Sequence, residues 1–177
     1  VMTDRYYQDP IVVAYLATFN NSKSVLLTPR VRNKTNNSFE IFLEHQSDGT
    51  ISSSETVTYM VVEKGVHTID NGPTIEAGEI TTSSVHSESG SFGGDYVSYS
   101  HNFSSSPATM ASLSTRNNNS FMGAVITSLN SSQFRVQQER LGTGRPTATE
   151  TIDWVAVERG QDNVLIQADL TSDSVTD

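Results

Sequence analysis

The sequence contains no cysteine, so neither a disulfide framework nor a thiolate metal site can hold this chain together. It has no apolar run near the roughly 20 residues that a membrane-spanning helix needs, and it shows no signal peptide. Positive charge is also scarce: 11 lysines and arginines stand against 20 acidic residues, for a net charge of −9. Because nucleic-acid binding depends on basic patches that face phosphate, we expect no nucleic-acid partner. Because the sequence has no long apolar run, we also expect no membrane span.

Sustained helical periodicity is absent as well, and short β-branched and aromatic segments alternate with polar turns instead. The clearest segment is a strand written twice, as Glu55–Gly65 and again as Glu150–Gly160. Side chains alternate across a strand, so Val57, Tyr59 and Val61 share one face of the first copy. These patterns predict an all-β protein with the architecture of an antiparallel β-sandwich.

The charged residues of the predicted strands allow two interpretations each. Glu55 and Glu150, which begin the two copies, make a buried hydrogen bond or a rim site, or they are solvated strand ends. We favour solvated ends, because glutamate is seldom buried without a partner. Arg30, Arg32 and Lys34 alternate along one strand and could contact a sulfate or carboxylate. We interpret them as a solvated edge that discourages aggregation.

The strand belongs to an internal repeat that covers most of the chain. Pro107 follows Pro10 by 97 positions, and Gly160 follows Gly65 by 95. Each repeat alone would bury only roughly 60% of its unfolded surface, so we predict that the two homologous repeats pack together and unfold together. The predicted divisions are a first repeat (1–82), a Ser/Gly-rich linker (83–95) and a second repeat (96–177).

Motifs with a known chemistry are not found. The sequence has no nucleophile elbow, no phosphate-binding Walker sequence and no HExxH helix. Its four histidines are scattered, so we predict no zinc site. Calcium bound by Asp48, Asp70 or Asp95 is an alternative to the interpretation that we favour, in which these residues form turns. We therefore predict a protein that is not an enzyme and has no cofactor.

Three segments resemble the H-type lectin domains, the invertebrate agglutinin and discoidin C-terminal type. They are the turn Thr35–Phe39 and the two final strands, Val57–Glu63 and Ile152–Glu158. The resemblance implies an H-type-lectin-like β-sandwich in each repeat and a function in sugar binding. We also expect a core built around four aromatic residues, Phe39, Tyr59, Phe134 and Trp154.

The positions that bind galactose-type sugars in that family are changed in this sequence. The family's Asp falls near Asn20 and Asn117, its Arg near Leu26-Leu27 and Phe121-Met122, and its Trp-His loop near Ser47-Asp48 and Gly142-Thr143. Because the positions that correspond to the Trp-His loop offer no aromatic residue to stack on a sugar, each site is expected to be weak. Useful affinity would then require both repeats or a homo-oligomer.

The leading hypothesis is non-catalytic binding of a glycan or polysaccharide by a module of a larger extracellular protein, either a carbohydrate-binding module or an adhesin domain. The alternative is a structural or adhesion module that packs against partner domains without binding sugar. Loops carry function, and amide, carboxylate and guanidinium groups pair well with sugar hydroxyls. The predicted ligand-binding residues are Asn20, Asn21, His45, Asp48, Asn117, Asn118, Arg140 and Arg145.

Overall fold

The computed structural model describes residues 1–22, 24–46, 50–86, 93–140 and 148–160, and every regular element in these ranges is a β-strand. The all-β prediction is therefore confirmed for the described residues. The strands are β1 (Pro10–Leu16), β2 (Leu27–Arg32), β3 (Glu40–His45), β4 (Val57–Glu63), β5 (Gly65–Thr68), β6 (Thr74–Thr82), β7 (Val85–His86), β8 (Asp95–Ser98), β9 (Ala108–Leu113), β10 (Met122–Leu129), β11 (Gln133–Arg140) and β12 (Glu150–Val157).

The strands form four sheets. Two sheets are simple antiparallel pairs, β1 with β4 and β2 with β3. A third has the order β5-β6-β12-β9, and all of its pairings are antiparallel. In the fourth, β11 lies between β10 and β8, and its end also pairs with the short parallel strand β7.

The pairing of β1 with β4 has the same register as the pairing of β9 with β12. Ala14 lies opposite Tyr59 in the first pair, and Ala111 lies opposite Trp154 in the second. These partners correspond to each other at the offsets of the sequence repeat. The outer edges of β4 and β12 differ, however. Along β12 that edge is occupied by β6, whereas among the described residues β4 pairs with β1 alone.

Strand β6 links the two predicted repeats, because it lies within the range predicted for the first repeat (1–82) and pairs with β12, which lies within the range predicted for the second (96–177). The pairing runs from Thr82 opposite Glu150 to Ile75 opposite Val157. The stretch 83–95, which we expected to be a linker, contributes β7 and the first residue of β8, and both strands pair with β11. Residues 87–92 of that stretch lie outside the described residues.

The largest apolar cluster surrounds Trp154 and Phe134 in the second repeat. Their side chains are 5% and 0% exposed, so the prediction that both are core residues is confirmed. Phe39 is equally buried in the corresponding cluster of the first repeat, at 3%. The prediction for Tyr59 is wrong, because this side chain is 44% exposed. Trp154 is covered by β6 and the Tyr99 ring, and the described residues place no such cover over Tyr59.

A third apolar cluster lies between the two repeats. Ile11 and Val13 of β1 pack against Val155 and Val157 of β12 and against Ala77 of β6. Burial of these side chains from both repeats stabilises their contact through the hydrophobic effect. The second repeat also pairs with the backbone at the outer edge of β1: the amides of Val12 and Ala14 donate hydrogen bonds to the side chains of Asp153 and Ser112.

Candidate functional site

The side chain of Glu55 joins the loop after β1 to the start of β4. Its carboxylate accepts hydrogen bonds from the Thr18 hydroxyl at 2.8 Å, from the backbone amides of Asn20 and Asn21, and from the Asn21 side chain at 2.6 Å. The loop after β1 and the loop before β4 therefore meet here. A carboxylate that accepts several such bonds is held in one position, which makes this an ordered junction.

The same junction is built a second time around Glu150, whose side chain is 0% exposed. Its carboxylate accepts hydrogen bonds from the Thr115 hydroxyl at 2.6 Å and from the backbone amides of Asn117 and Asn118. One partner of Glu150 has no counterpart at Glu55 among the described residues: Nη2 of Arg30 lies 3.0 Å from Glu150 Oε1. The interpretation as a solvated strand end was wrong for Glu150, which is buried and hydrogen-bonded. Glu55 is hydrogen-bonded as well, but it is only half-buried.

The pKa values of the two carboxyl groups follow from these contacts. Removal from water works to raise the pKa of Glu150, but the hydrogen bonds from Thr115, Asn117 and Asn118 and the charge of Arg30 outweigh it. The pKa of Glu150 consequently lies below its ordinary value. The pKa of Glu55 is lowered in the same way, where desolvation is outweighed by its hydrogen bonds. Both groups are therefore carboxylates at neutral pH.

The four predicted asparagines are engaged inside these junctions. Their side-chain NH2 groups donate to the backbone carbonyls of the facing loop: Asn20 to Ser54, Asn21 to Ser53, Asn117 to Thr149 and Asn118 to Ala148. Asn21 and Asn118 are buried, while Asn20 and Asn117 are exposed. Each of the four amides thus has at least one donor committed to the fold, and a sugar would have to compete with these bonds.

Two other predicted residues, His45 and Arg140, line one cavity of about 490 Å³ between the ends of β3 and β11. Phe42 and Phe121 contribute aromatic surface to the same cavity. The guanidinium of Arg116 lies over the Phe42 ring, 5.2 Å from its centre. The remaining predicted residues, Asp48 and Arg145, lie outside the described residues.

Arg30 is completely buried where the two repeats meet, so its interpretation as part of a solvated edge was wrong. Its guanidinium pairs with Glu44 at 2.8 Å and with Glu150 at 3.0 Å, and Nη2 also donates to the Thr115 carbonyl. Glu44 in turn accepts a hydrogen bond from Arg116 of the second repeat. A buried charge needs this degree of pairing, because an isolated one would be strongly disfavoured.

A second buried ion pair crosses the same interface. The Lys34 ammonium lies 2.6 Å from the Asp153 carboxylate, and that carboxylate also accepts a hydrogen bond from the Val12 amide. Burial raises the pKa of Asp153 above its ordinary value, although the Lys34 charge acts in the opposite direction. The solvated interpretation was therefore wrong for Lys34 too, and of the three basic residues only Arg32 is substantially exposed.

Neither a metal centre nor a membrane span is found in the part of the chain that the structure describes. No group of three or more His, Asp or Glu residues lies close enough there to hold a metal ion. Of the aspartates considered for calcium, Asp95 accepts hydrogen bonds from Thr82 and Ser84, and Asp48 lies outside the described ranges. The described ranges also contain no helix that is long and apolar enough to cross a bilayer.

Comparison with known proteins gives one relative. The chain is 28% identical, over 187 aligned positions and 97% of its own length, to the protein named Halomucin of Haloquadratum walsbyi. The chain spans 2% of the length of that relative. No family model and no solved structure matches the chain.

The buried ion pairs of Arg30 and Lys34 are the structural feature of this region that the sequence did not reveal. Arg30 and Arg32 lie two positions apart on one strand, and nothing local distinguishes the buried residue from the exposed one. The difference arises from the second repeat, which supplies Glu150 to Arg30 only. The sequence signal that points to it is the paired appearance of Glu55 and Glu150 at the start of a twice-written strand.

Proposed function

We propose that this chain is a non-catalytic structural module of a long extracellular or cell-surface protein, in which two H-type-lectin-like sandwich repeats act as one rigid spacer. The similarity to Halomucin supports the setting, because the segment of that relative that matches this chain is one short part, 2%, of a much longer protein. The cysteine-free acidic composition suits a module of this kind, since net charge keeps repeated domains soluble and apart.

The observation that carries the proposal is the joining of the repeats by both a shared sheet and buried charges. Strand β6 of the first repeat completes the sheet of the second along β12. Arg30 and Lys34 of the first repeat reach Glu150 and Asp153 of the second. A module built this way resists bending and separation between its halves, because either movement would expose unpaired buried charges.

Scanning calorimetry of the full chain tests this proposal. A single rigid module unfolds in one transition, for which the calorimetric and van't Hoff enthalpies agree. Two separate transitions would mean that the repeats are independent beads, and the spacer function would then be rejected. Small-angle scattering at several salt concentrations provides the second check, because a rigid unit keeps its dimensions when surface charges are screened.

Glycan binding is the second candidate function, and one observation favours it. His45 and Arg140 lie together in a cavity that also offers the Phe42 and Phe121 rings, so donors and aromatic surface are combined in one place. Stacking of a sugar on an aromatic face and hydrogen bonds from a guanidinium are the usual elements of such a site. The ligand would be a glycan or polysaccharide bound between the repeats.

A glycan array followed by two matched variants tests the second candidate. Arg140→Ala should abolish binding to any glycan that the wild type retains, because it removes the donor at the cavity wall. Asn20→Ala removes an exposed junction amide and should leave that binding unchanged. The result that would reject the cavity is the reverse pattern, or a wild type that retains no glycan.

A further inference from the structure

The free edge of β4 is the feature of the described structure that the spacer function leaves unexplained. Its equivalent in the second repeat, β12, has a strand on each side. An open edge that carries apolar side chains is a template for another strand, and natural proteins normally cover or charge it. On β4, Tyr59 is 44% exposed and Met60 is 39% exposed.

The backbone groups at this edge can be identified from β1. The amides of Val12 and Ala14 bond to side chains of the second repeat, so they point away from β4. In an antiparallel pair, two residues that lie opposite each other either both direct their backbone N–H and C=O groups toward the partner strand or both direct them away from it. Val61 lies opposite Val12, and Tyr59 lies opposite Ala14, so the backbone groups of Val61 and Tyr59 point away from β1. With Val57, they present a row of amides and carbonyls. The Glu63 carbonyl at the end of this row bonds the His67 ring, which limits the open part to Val57–Val61.

The second repeat shows what fits such an edge. Opposite Trp154, β6 places Gly78, and a β-carbon there would lie only 2.5 Å from the indole Cζ2. The aromatic pairs of the two repeats are also alike: Phe39 and Tyr59 meet edge to face at 5.2 Å, and Phe134 and Trp154 do so at 5.3 Å. The Tyr59 site therefore has the shape that receives a β6-type strand with glycine opposite the ring.

We propose that the β4 edge receives the β5–β6-type hairpin of a repeat that precedes it in the same polypeptide, just as β12 receives the hairpin of the first repeat. The hairpin would come from the same polypeptide, because the pairing of Val1 allows a preceding strand to lead directly into it. Val1 pairs with Phe39 through two backbone hydrogen bonds, and Val97 of β8 lies opposite Phe134 in the same manner. A β8-type strand leading into Val1 would continue this pairing, with the hairpin before it reaching β4.

The proposal deepens the spacer function and rests on it. Each repeat would contribute one β-hairpin to the sheet of the repeat that follows it in the polypeptide. Repeats linked in this way are joined by main-chain hydrogen bonds as well as by loops. Strand addition of this kind gives affinity through the backbone and specificity through the side chains opposite each pocket. In this case the specificity element is the glycine that must lie opposite Tyr59.

The test is an extended chain in which a second copy of residues 65–96 is fused directly before Val1 of the full-length protein. Hydrogen exchange is then measured at the amides of Val57, Tyr59 and Val61 in the extended chain and in the original chain. The proposal predicts that these amides exchange rapidly in the original chain and more than about tenfold more slowly in the extended one. The matched control carries Gly78→Val in the added copy only, and it should return exchange to the original rate.

Three results would overturn the proposal. Unchanged exchange in a folded extended chain would show that the hairpin does not dock on β4. Slow exchange in the original chain at every protein concentration would show that its own residues already cover the edge. Slow exchange only at high concentration would assign the edge to a second copy. None of these results bears on the spacer function, which the calorimetric and scattering experiments test separately.

Discussion

Arg30 is the residue whose role depends most on the rest of the molecule. It is buried and pairs with Glu44 of its own repeat and Glu150 of the other, whereas its neighbour Arg32 pairs with Glu40 at the exposed surface. Removing one partner from a buried ion pair leaves an uncompensated charge, which is strongly unfavourable. The two arginines therefore form a matched pair for mutation, with the same side chain in the same strand and different surroundings.

Arg30→Ala should lower the free energy of unfolding by about 3–5 kcal/mol, because Glu44 and Glu150 would both lose their buried cation. Arg32→Ala should change it little, because an exposed ion pair is screened by water. Urea unfolding followed by the fluorescence of Trp154 measures both variants. Equal effects of the two substitutions would contradict the placement of Arg30 between the repeats.

Glu150 also makes the stability depend on pH. Its pKa is lower in the folded protein than its ordinary value of 4.5, so the folded state binds fewer protons than the unfolded state in that range. The stability that Glu150 contributes is complete above pH 4.5 and is lost as the pH falls through the lowered folded pKa. Acidification should therefore destabilise the wild type through this group.

The variant Glu150→Gln isolates that contribution, since glutamine does not titrate. Between neutral pH and pH 3, the variant should lose less unfolding free energy than the wild type does. Denaturant titrations at several pH values measure the difference. Burial raises the pKa of Asp153 and gives a contribution of opposite sign, but both proteins contain Asp153, so this contribution cancels in the comparison. Identical losses in the two proteins would refute the role of Glu150.

Among the strand contacts, the one between β6 and β12 leaves very little space for a side chain at one position of β6. Gly78 of β6 lies directly against the Trp154 ring, and a β-carbon there would come within 2.5 Å of it. By contrast, a β-carbon on Gly123 of β10 would meet nothing within 4 Å. The two glycines both lie in strands, so they separate the effect of crowding from the effect of removing a glycine.

Gly78→Ala should destabilise the protein by about 1–3 kcal/mol, because the new methyl group forces the buried indole or β6 to move. Gly123→Ala should be neutral or slightly stabilising, because alanine reduces the freedom of the unfolded chain. Thermal unfolding gives both values. Tolerance of alanine at position 78 would mean that β6 does not lie against Trp154 in this register.

The sequence predicts the features of an element that depend on its own residues, and it does not predict the features that depend on a distant strand. β12 and its core residues Ile152 and Trp154 were predictable, because alternation and β-branched composition are properties of the strand itself. The pairing of β6 with β12 was not, because strand periodicity says which face is buried and nothing about which strand lies alongside. The exposure of Tyr59 has the same origin, since its strand copies the pattern of β12 but has no equivalent of β6 among the described residues.

The candidate site divides in the same way. The sequence singled out Asn21 and Asn118, and both lie where the loop after the first strand of a predicted repeat meets the loop before its last strand. The sequence did not show that they would bond to Glu55 and Glu150, since a hydrogen-bonding group looks the same in a sequence whether it faces a ligand or the fold. Arg30 was missed for a related reason, because its partner lies 120 positions away.

Across the whole molecule, we expect the two repeats to unfold as one cooperative unit. The apolar cluster of Ile11, Val13 and Val155, the two buried ion pairs and the crossing of β6 all join the repeats. Breaking any one of these in isolation would expose apolar surface or buried charge, so partial opening is costly. We therefore expect that neither repeat unfolds while the other stays folded.

Native-state hydrogen exchange in increasing, sub-denaturing urea tests this claim most directly. It compares the amides of Val13 and Met60, in the sheet of the first repeat, with those of Met110 and Val155 in the sheet of the second. If the repeats are one unit, the opening free energies of all four converge on the same global value as urea rises. Two separate values, one for each repeat, would contradict the account.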